Sequence, residues 1–287
     1  MQTLGAAVIG AGPMGLWTAN HLARRGYSVR VYDIKGEKIN NIPRTGRVSA
    51  AENFEEAVKH GSVIFSAVGT KNSSTVIRKI ITNHQEKIVV DISSVKTPVV
   101  KSLEKVTTRN NLVVLTHPLF GPGTKKLEDK TVLFVPFRKK ASEYRICKAL
   151  FSPCRIVTVS AAQHDRMMAA AMALPRAFLL TMLDVWRRAG VEDLTFSQRA
   201  IRLAASTILT ENPSLAVEII AYNPYSTLTI KQALTSVKKM VQNPSENIKN
   251  IYTRLKTKTQ KREYIQIYSL LEKSMGVVKK KYAGDSS

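Results

Sequence analysis

Six residues limit this chain's choice of fold more than any others: Gly10-Ala11-Gly12-Pro13-Met14-Gly15. They follow an apolar run at residues 4–9 and open a helical pattern that carries Leu16, Ala19, Leu22 and Ala23. The pattern stops at Gly26, and residues 27–32 then alternate into Asp33. Strand, glycine turn, helix, strand and acidic residue, in that order, give a bare G-x-G-x-x-G its meaning as a dinucleotide-binding βαβ unit. Gly10 permits the tight turn. Gly12 lets the backbone approach a pyrophosphate whose charge sits on the helix N-terminus, and Gly15 lets the helix close on the strand. Pro13 and Met14 complete the expected cofactor-binding turn. Asp33 can accept bonds from both ribose hydroxyls and would repel a 2′-phosphate, so NAD is the expected cofactor. Lys35 and Lys38 lie just beyond it and leave NADP open.

Residues 62–68, 87–92, 112–116 and 131–135 read as further strands, with helical patterns near 54–60 and 74–83 between them. Strands alternating with helices predict a parallel sheet covered on both faces. Beyond residue 155 the pattern changes to helices at 161–189, 195–210, 214–221, 229–243 and 245–275, with no convincing strand. The expected fold is therefore α/β: an N-terminal Rossmann-type dinucleotide-binding domain over 1–157, followed by an all-helical domain over 158–287.

Charge narrows the function only coarsely. Lys plus Arg number 44 against 21 Asp plus Glu, a formal net charge of +23, which draws anions of any kind. From residue 229 onward 13 Lys/Arg face 4 Asp/Glu, but they fall at helical spacing among apolar residues and read as solvated helix faces. Nucleic acid is therefore the rival partner rather than the expected one. Met1 leads almost directly into a strand-like run, unlike a secretory start. The most apolar stretch, 167–183, is interrupted at Pro175-Arg176 and falls short of a membrane span. Two cysteines, Cys147 and Cys154, make neither a disulfide scaffold nor a zinc site, so no metal is expected. A cytoplasmic protein with reduced thiols fits these features.

Two segments at strand ends carry the chemistry. Asp91-Ile92-Ser93-Ser94-Val95-Lys96 closes one strand, and Thr116-His117-Pro118-Leu119-Phe120-Gly121-Pro122 closes the next. In an open parallel sheet such positions face the ligand crevice, which places Ser94, Lys96 and His117 near the nicotinamide end of a bound dinucleotide. A neutral imidazole can take the proton of an alcohol as hydride leaves the same carbon. Ser94 can orient that ring or the substrate hydroxyl.

Together with the glycine turn, the Ser94-Val95-Lys96 strand end and the His-Pro-Leu-Phe-Gly-Pro segment, the chain resembles the prephenate/arogenate dehydrogenase family of tyrosine biosynthesis. The resemblance continues more thinly through Gln163-His164-Asp165, Leu174-Pro175 and residues 202–206. It implies oxidative decarboxylation of prephenate to 4-hydroxyphenylpyruvate with NAD, or of arogenate to tyrosine. His117 is then the base on the ring hydroxyl, Ser94 the serine beside it, and Arg202 the guanidinium that holds a carboxylate of the small dicarboxylate substrate. Lys96 and Arg176 join the expected substrate-binding set. The family's helical domains dimerise, so a homodimer is expected, with the active site between the domains. A second rival is another Rossmann-type dehydrogenase acting on a hydroxyacid or an imine.

The chain departs from the family at Met172-Ala173-Leu174-Pro175-Arg176, where members often have Ser-His-Leu-Pro-His. Either Arg176 supplies the missing cation and, by repelling the ammonium of arogenate, favours prephenate, or that part of the pocket works differently. Gln198 stands where some members have Lys. His164 and Asp165 are expected to be structural, Asp165 near a helix N-terminus and His164 at a hinge.

Overall fold

The computed structural model describes residues 4–40, 42, 46–191, 195–256, 269–270 and 273. The chain forms two compact units, Met1–Ala169 with Val217–Tyr225, and Ala170–Ala216 with Ser226–Ser287. The first unit thus runs past the expected boundary at 157 and recruits a later segment.

In the first unit an eight-stranded sheet is built from β1 (Gly5–Ile9), β2 (Ser28–Tyr32), β3 (Val48–Ala50), β4 (Val63–Ser66), β5 (Ile88–Asp91), β6 (Leu112–Pro118), β7 (Thr131–Val135) and β8 (Arg155–Thr158). Their order is β3-β2-β1-β4-β5-β6-β7-β8. All neighbours are parallel except β6 and β7, which run antiparallel through a helix-free connection. The wholly parallel sheet expected from sequence is corrected at that one pair. Strands β1 and β4 are apolar runs buried on both faces, because helices cover both. Helix α1 (Pro13–Arg24) buries Trp17, Ala19 and Leu22, and α4 (Thr70–Asn83) buries Ile77, Ile80 and Ile81. α6 (Lys140–Phe151) adds Cys147, Leu150 and Phe151. The remaining helices here are α2 (Gly36–Ile39), α3 (Phe54–His60), α5 (Thr97–Leu103) and α7 (Ala161–Met168). Between β1 and β4 the strand order reverses, opening a crevice at their carboxyl ends.

The second unit consists of helices among its described residues: α8 (Leu174–Arg188), α9 (Phe196–Leu209), α10 (Pro213–Val217, whose last residue clusters with the first unit), α11 (Ser226–Gln242) and α12 (Pro244–Lys256). Thr195 caps α9 by accepting the Gln198 N–H at 3.2 Å. The helix expected over 245–275 is described to Lys256. Beyond that, apart from 269–270 and 273, it lies outside the described residues.

The interruption expected at Pro175 does not occur. A π turn, Ala169–Ala173, joins α7 to α8, and Pro175 falls in the first turn of α8, where a missing N–H is tolerated. The resulting helical run, Ala161–Arg188, is 28 residues long and by length and composition apolar enough to cross a membrane. Its opening turns instead carry a buried histidine and aspartate bonded to the sheet-forming unit.

Candidate active site

Why the first βα turn is built from glycine is visible in its contacts. Gly10 has φ +108°, in the left-handed region. A Cβ on Gly15 would collide with the Gly10 carbonyl, whereas a Cβ on Gly12 would meet no atom within 4 Å. Gly12 is thus small for an approach from outside rather than for packing within. It is the N-cap of α1, with no side chain covering the helix's first N–H groups. Asp33 directly follows β2, where its Oδ2 accepts the Ala11 N–H at 2.8 Å and its Oδ1 the Lys35 N–H at 2.9 Å. Lys38 Nζ lies 3.9 Å from Asp33 Oδ2. An open glycine at an uncapped helix start, with a carboxylate anchored at the end of the next strand, fits the pyrophosphate and ribose of a nicotinamide dinucleotide. Met14 packs on the core, and Pro13 opens the helix.

At the ends of β5 and β6 lies a chain of buried polar groups. Asp91 and Lys96 form an ion pair with no exposed side-chain surface on either partner. Ser73 donates to Asp91 Oδ1 at 2.5 Å, and Ser93 donates to Asp91 Oδ2 at 2.8 Å and lies 3.2 Å from Lys96 Nζ. Thr116 on β6 donates to the Asp91 carbonyl. Burial lowers the Lys96 ammonium from its ordinary value, although Asp91 and Asp165 pull it back up. Lys96 therefore turns inward onto Asp91, which corrects the expectation that its ammonium meets substrate. It is Ser93, not Ser94, that joins this network. Ser94 is half-buried in the same turn and makes no side-chain hydrogen bond among the described residues.

His117 occupies the penultimate position of β6 and is 5% exposed. Its Nδ1 lies 3.0 Å from Nε2 of His164, and Nδ1 of His164 lies 2.7 Å from Asp165 Oδ1. Asp165 Oδ1 also accepts the Lys96 N–H at 2.8 Å, and Oδ2 the Thr97 N–H at 2.7 Å. The carboxylate therefore sits on the N-terminus of α5, where negative charge is favoured. A capping box, Ser160 with Gln163, fixes the start of α7 and so the angle at which His164 and Asp165 enter. Asn223, from the recruited segment, donates to the Asp165 carbonyl at 2.7 Å. Burial, then His164 and Lys96, hold the His117 imidazolium well below its ordinary value. Burial also lowers His164, against the pull of Asp165. For Asp165 burial pushes upward, but bonds from His164, Thr97 and Lys96 outweigh it and leave the carboxyl below its usual range. Two neutral imidazoles on an ionised carboxylate can accept and hold a proton out of bulk water.

His164, expected at a hinge, instead meets the His117 ring within the first unit. Its signal was the Ser160-x-x-Gln163 box, which pins the next two residues to the helix start. Asp165 is expected to serve the N-terminus of its own helix; Ser160 and Gln163 cap α7, and the Asp165 carboxylate accepts from the N–H groups at the start of α5 instead. Glu218, also not foreseen, accepts the Thr70 N–H at 2.9 Å at the start of α4.

In the second unit, Arg176 is buried and paired: Nη2 lies 2.6 Å from Glu211 Oε2, and Nη1 donates to the Met172 carbonyl. Arg202 is half-buried, donates to the Val191 carbonyl at 2.8 Å, and stands 6.0 Å from the Trp186 ring. Among the described residues no three His, Cys, Asp or Glu side chains are grouped so as to hold a metal ion.

A Rossmann-type sheet with this turn defines a nicotinamide-dinucleotide-binding protein, and the chain belongs to the family described as the NAD binding domain of 6-phosphogluconate dehydrogenase, matched over residues 6–152. Its similarity reaches further, to proteins with narrower names. It is 27% identical over 223 residues, 75% of its own length, to a Methanocaldococcus jannaschii protein named "Probable arogenate/prephenate dehydrogenase", of which it covers 48%. It is 25% identical over 193 residues, 64% of its length, to a Schizosaccharomyces pombe protein named "Probable prephenate dehydrogenase [NADP(+)]", of which it covers 44%. The chain thus spans about half the length of the curated relatives it matches. In fold it is similar to the prephenate dehydrogenase of Aquifex aeolicus solved with hydroxyphenyl propionate and NAD+, with TM-score 0.68, 18% identity, and coverage of 96% of this chain and 99% of that one. The family resemblance seen in the sequence is borne out by these relatives.

Proposed function

We propose that the protein is an NAD(P)-dependent dehydrogenase that oxidatively decarboxylates prephenate or arogenate. The observation that carries this reading is a buried, neutral His117, bonded through Nδ1, at the carboxyl end of β6 in a sheet whose first turn fits a nicotinamide dinucleotide. A bound dinucleotide supplies the hydride acceptor. His117 takes the proton of the ring hydroxyl as hydride departs from the same carbon. The ring carboxylate then leaves as carbon dioxide, its bonding electrons complete the aromatic ring and return to the ring oxygen, and the proton held by His117 goes back to that oxygen, so charge and atoms balance without a further reagent. Burial of the whole Asp91–Lys96 and Asp165–His164 set keeps water from competing for that proton.

Asp33 supports NAD, while the exposed Lys35 and Lys38 and the named NADP relative keep NADP in the test. A preference for prephenate over arogenate through Arg176 needs an unpaired guanidinium, and Glu211 pairs it, so the substrate class is a cyclohexadienol bearing a ring carboxylate and prephenate is assayed first. Arg202 remains the guanidinium that the resemblance assigns to a carboxylate. A homodimer is supported by exposed Leu228, Leu234, Val241, Tyr252 and Leu255 on α11 and α12, and sedimentation tests it. The family resemblance and the reduced thiols support a cytoplasmic location.

The deciding experiment incubates the protein with prephenate or arogenate and with NAD or NADP, and follows reduced-cofactor absorbance. Turnover of either substrate supports the reading. No turnover in any of the four combinations overturns it.

A further inference from the structure

We propose that His164, held by Asp165, is a positioning residue that fixes the tautomer of His117, so that the proton-accepting nitrogen of His117 is Nε2. The sequence offers Ser94 for the orienting role, but the group that touches the His117 ring is His164, 47 residues away in sequence and fully buried. The inference rests on reading His117 as the base.

The protons along one line of hydrogen bonds can be counted. Backbone N–H groups can only donate, so the bonds from Lys96 and Thr97 require acceptor oxygens on Asp165. An ionised carboxylate meets that requirement and has capacity left for the third donor, Nδ1–H of His164, at 2.7 Å. A neutral His164 that is protonated on Nδ1 presents a bare lone pair at Nε2. Only Nδ1–H of His117 can satisfy that lone pair at 3.0 Å. His117 then carries its single proton on Nδ1, and Nε2 is left as the base.

The opposite arrangement needs a protonated Asp165 donating to His164. The two backbone donors and the lowered carboxyl of Asp165 both oppose it. The remaining charges around the pair are Asp91, the last residue of β5, and Lys96, from the turn after it. Lys96 disfavours an imidazolium on either ring and so keeps one proton on each. Asn223 donates to the backbone carbonyl of Asp165, which leaves the carboxylate oxygens to these three donors. The logic matches that of catalytic triads, in which a carboxylate selects the histidine tautomer.

The test has a readout independent of turnover. In the full chain with 15N-labelled histidine, at neutral pH and without substrate, His117 Nε2 should resonate as an unprotonated, pyridine-type nitrogen and Nδ1 as a protonated one. In His164→Ala both tautomers should appear. His164→Gln, whose amide oxygen can take the Nε2 acceptor position, should keep the wild-type tautomer. In parallel, His164→Ala should lower kcat by roughly 10- to 100-fold, less than loss of the base itself, with the KM for NAD unchanged, and the Gln variant should recover about tenfold of that. A wild-type His117 protonated on Nε2 would overturn the proposal whatever the variants do. So would an unchanged tautomer in a folded His164→Ala. If the tautomer behaves as described but no substrate turns over, the positioning stands and the assignment of the reaction fails.

Discussion

Both units bury a cation against a carboxylate, and they do it differently. In the sheet-bearing unit Lys96 and Asp91 have no exposed side-chain surface, and the pair is tied to Ser73, Ser93, Asp165 and, through it, two histidines. Among the described residues of the helical unit, Arg176 meets one carboxylate, Glu211, whose side chain is 34% exposed, and Nε of Arg176 has no partner. The first arrangement joins residues from β5, β6 and α7 that are far apart in sequence. The second links two helices and leaves one partner able to hydrate. A charge in the first should therefore be hard to remove without loss, and a charge in the second should be replaceable.

The largest expected effect falls on chemistry. His117→Asn should lower kcat by roughly 10²–10⁴-fold, the range for a general base, with dinucleotide affinity retained. Steady-state kinetics with isothermal titration of NAD check both halves. Near-wild-type kcat in that variant would mean that the histidine line does not serve proton transfer, and the contrast between the units would then be structural only.

Stability sharpens the contrast next. Lys96→Met strands a fully buried carboxylate, which should destabilise by about 3–5 kcal/mol. Arg176→Met strands a carboxylate that water reaches, so its loss should be nearer the ~1–3 kcal/mol of an unmade charged hydrogen bond. Urea denaturation of the two variants measures both. Equal losses would show that the extra partners of Lys96 add nothing.

Acid should act on the sheet-bearing unit. Burial holds the folded-state values of His117 and His164 below about 6.5, the unfolded value. Below that pH the unfolded chain binds more protons than the folded one, so stability should fall as pH drops from 6.5 toward the folded values. Asp165 is also lowered, so its contribution persists above its unfolded value and is lost only as pH falls through its folded one. Denaturant midpoints at about pH 7.5 and pH 5.5, straddling the ordinary histidine value, should differ, and His117→Asn should reduce the difference. An acid limb of kcat/KM at or above pH 6.5 would contradict a lowered His117.

What could be read from sequence divides along the same line between local and distant determinants. The glycine turn, Asp33, strands β1, β2, β4, β5, β6 and β7 and most helices were legible, because each is set by its own periodicity and punctuation. Strand β3 has three residues, too few to show a period. Helix α6 went unread because charged residues and tyrosine fill its exposed face. The antiparallel β6–β7 pair depends on a connection with no helix to announce it. At the site, His117 and Lys96 were found as residues, but not their partners. Nothing local says that Lys96 turns inward to Asp91, that His164 meets His117 across 47 residues, or that Glu211 meets Arg176 across 35.

Asp33→Asn tests the legible part. Loss of the carboxylate should shift the NAD-to-NADP ratio of kcat/KM toward NADP by roughly tenfold, since one repulsion and one charge-assisted acceptor go together. A wild type that already prefers NADP would mean that Lys35 and Lys38 dominate over Asp33.

The smallest effect concerns substrate side chains, and it probes the replaceable pair. Prephenate carries a keto group where arogenate carries an ammonium. An unpaired guanidinium near that position would repel the ammonium, but Glu211 at 2.6 Å largely neutralises Arg176. Arg176→Ala should then change the prephenate-to-arogenate ratio of kcat/KM by less than about twofold, because a neutral pair is replaced by a lone, hydrated carboxylate. Glu211→Gln should do more. It unmasks the guanidinium, and a like-charge contact at about 4 Å in water-like dielectric is worth roughly 1 kcal/mol, or about fivefold in favour of prephenate. The same variant should lose little stability, since Gln can still accept from Nη2. A large ratio change in Arg176→Ala alone would show that the guanidinium reads the side chain despite its partner. An unchanged ratio in both would show that the pair serves only to join α8 to the end of α9, and that discrimination lies with Arg202.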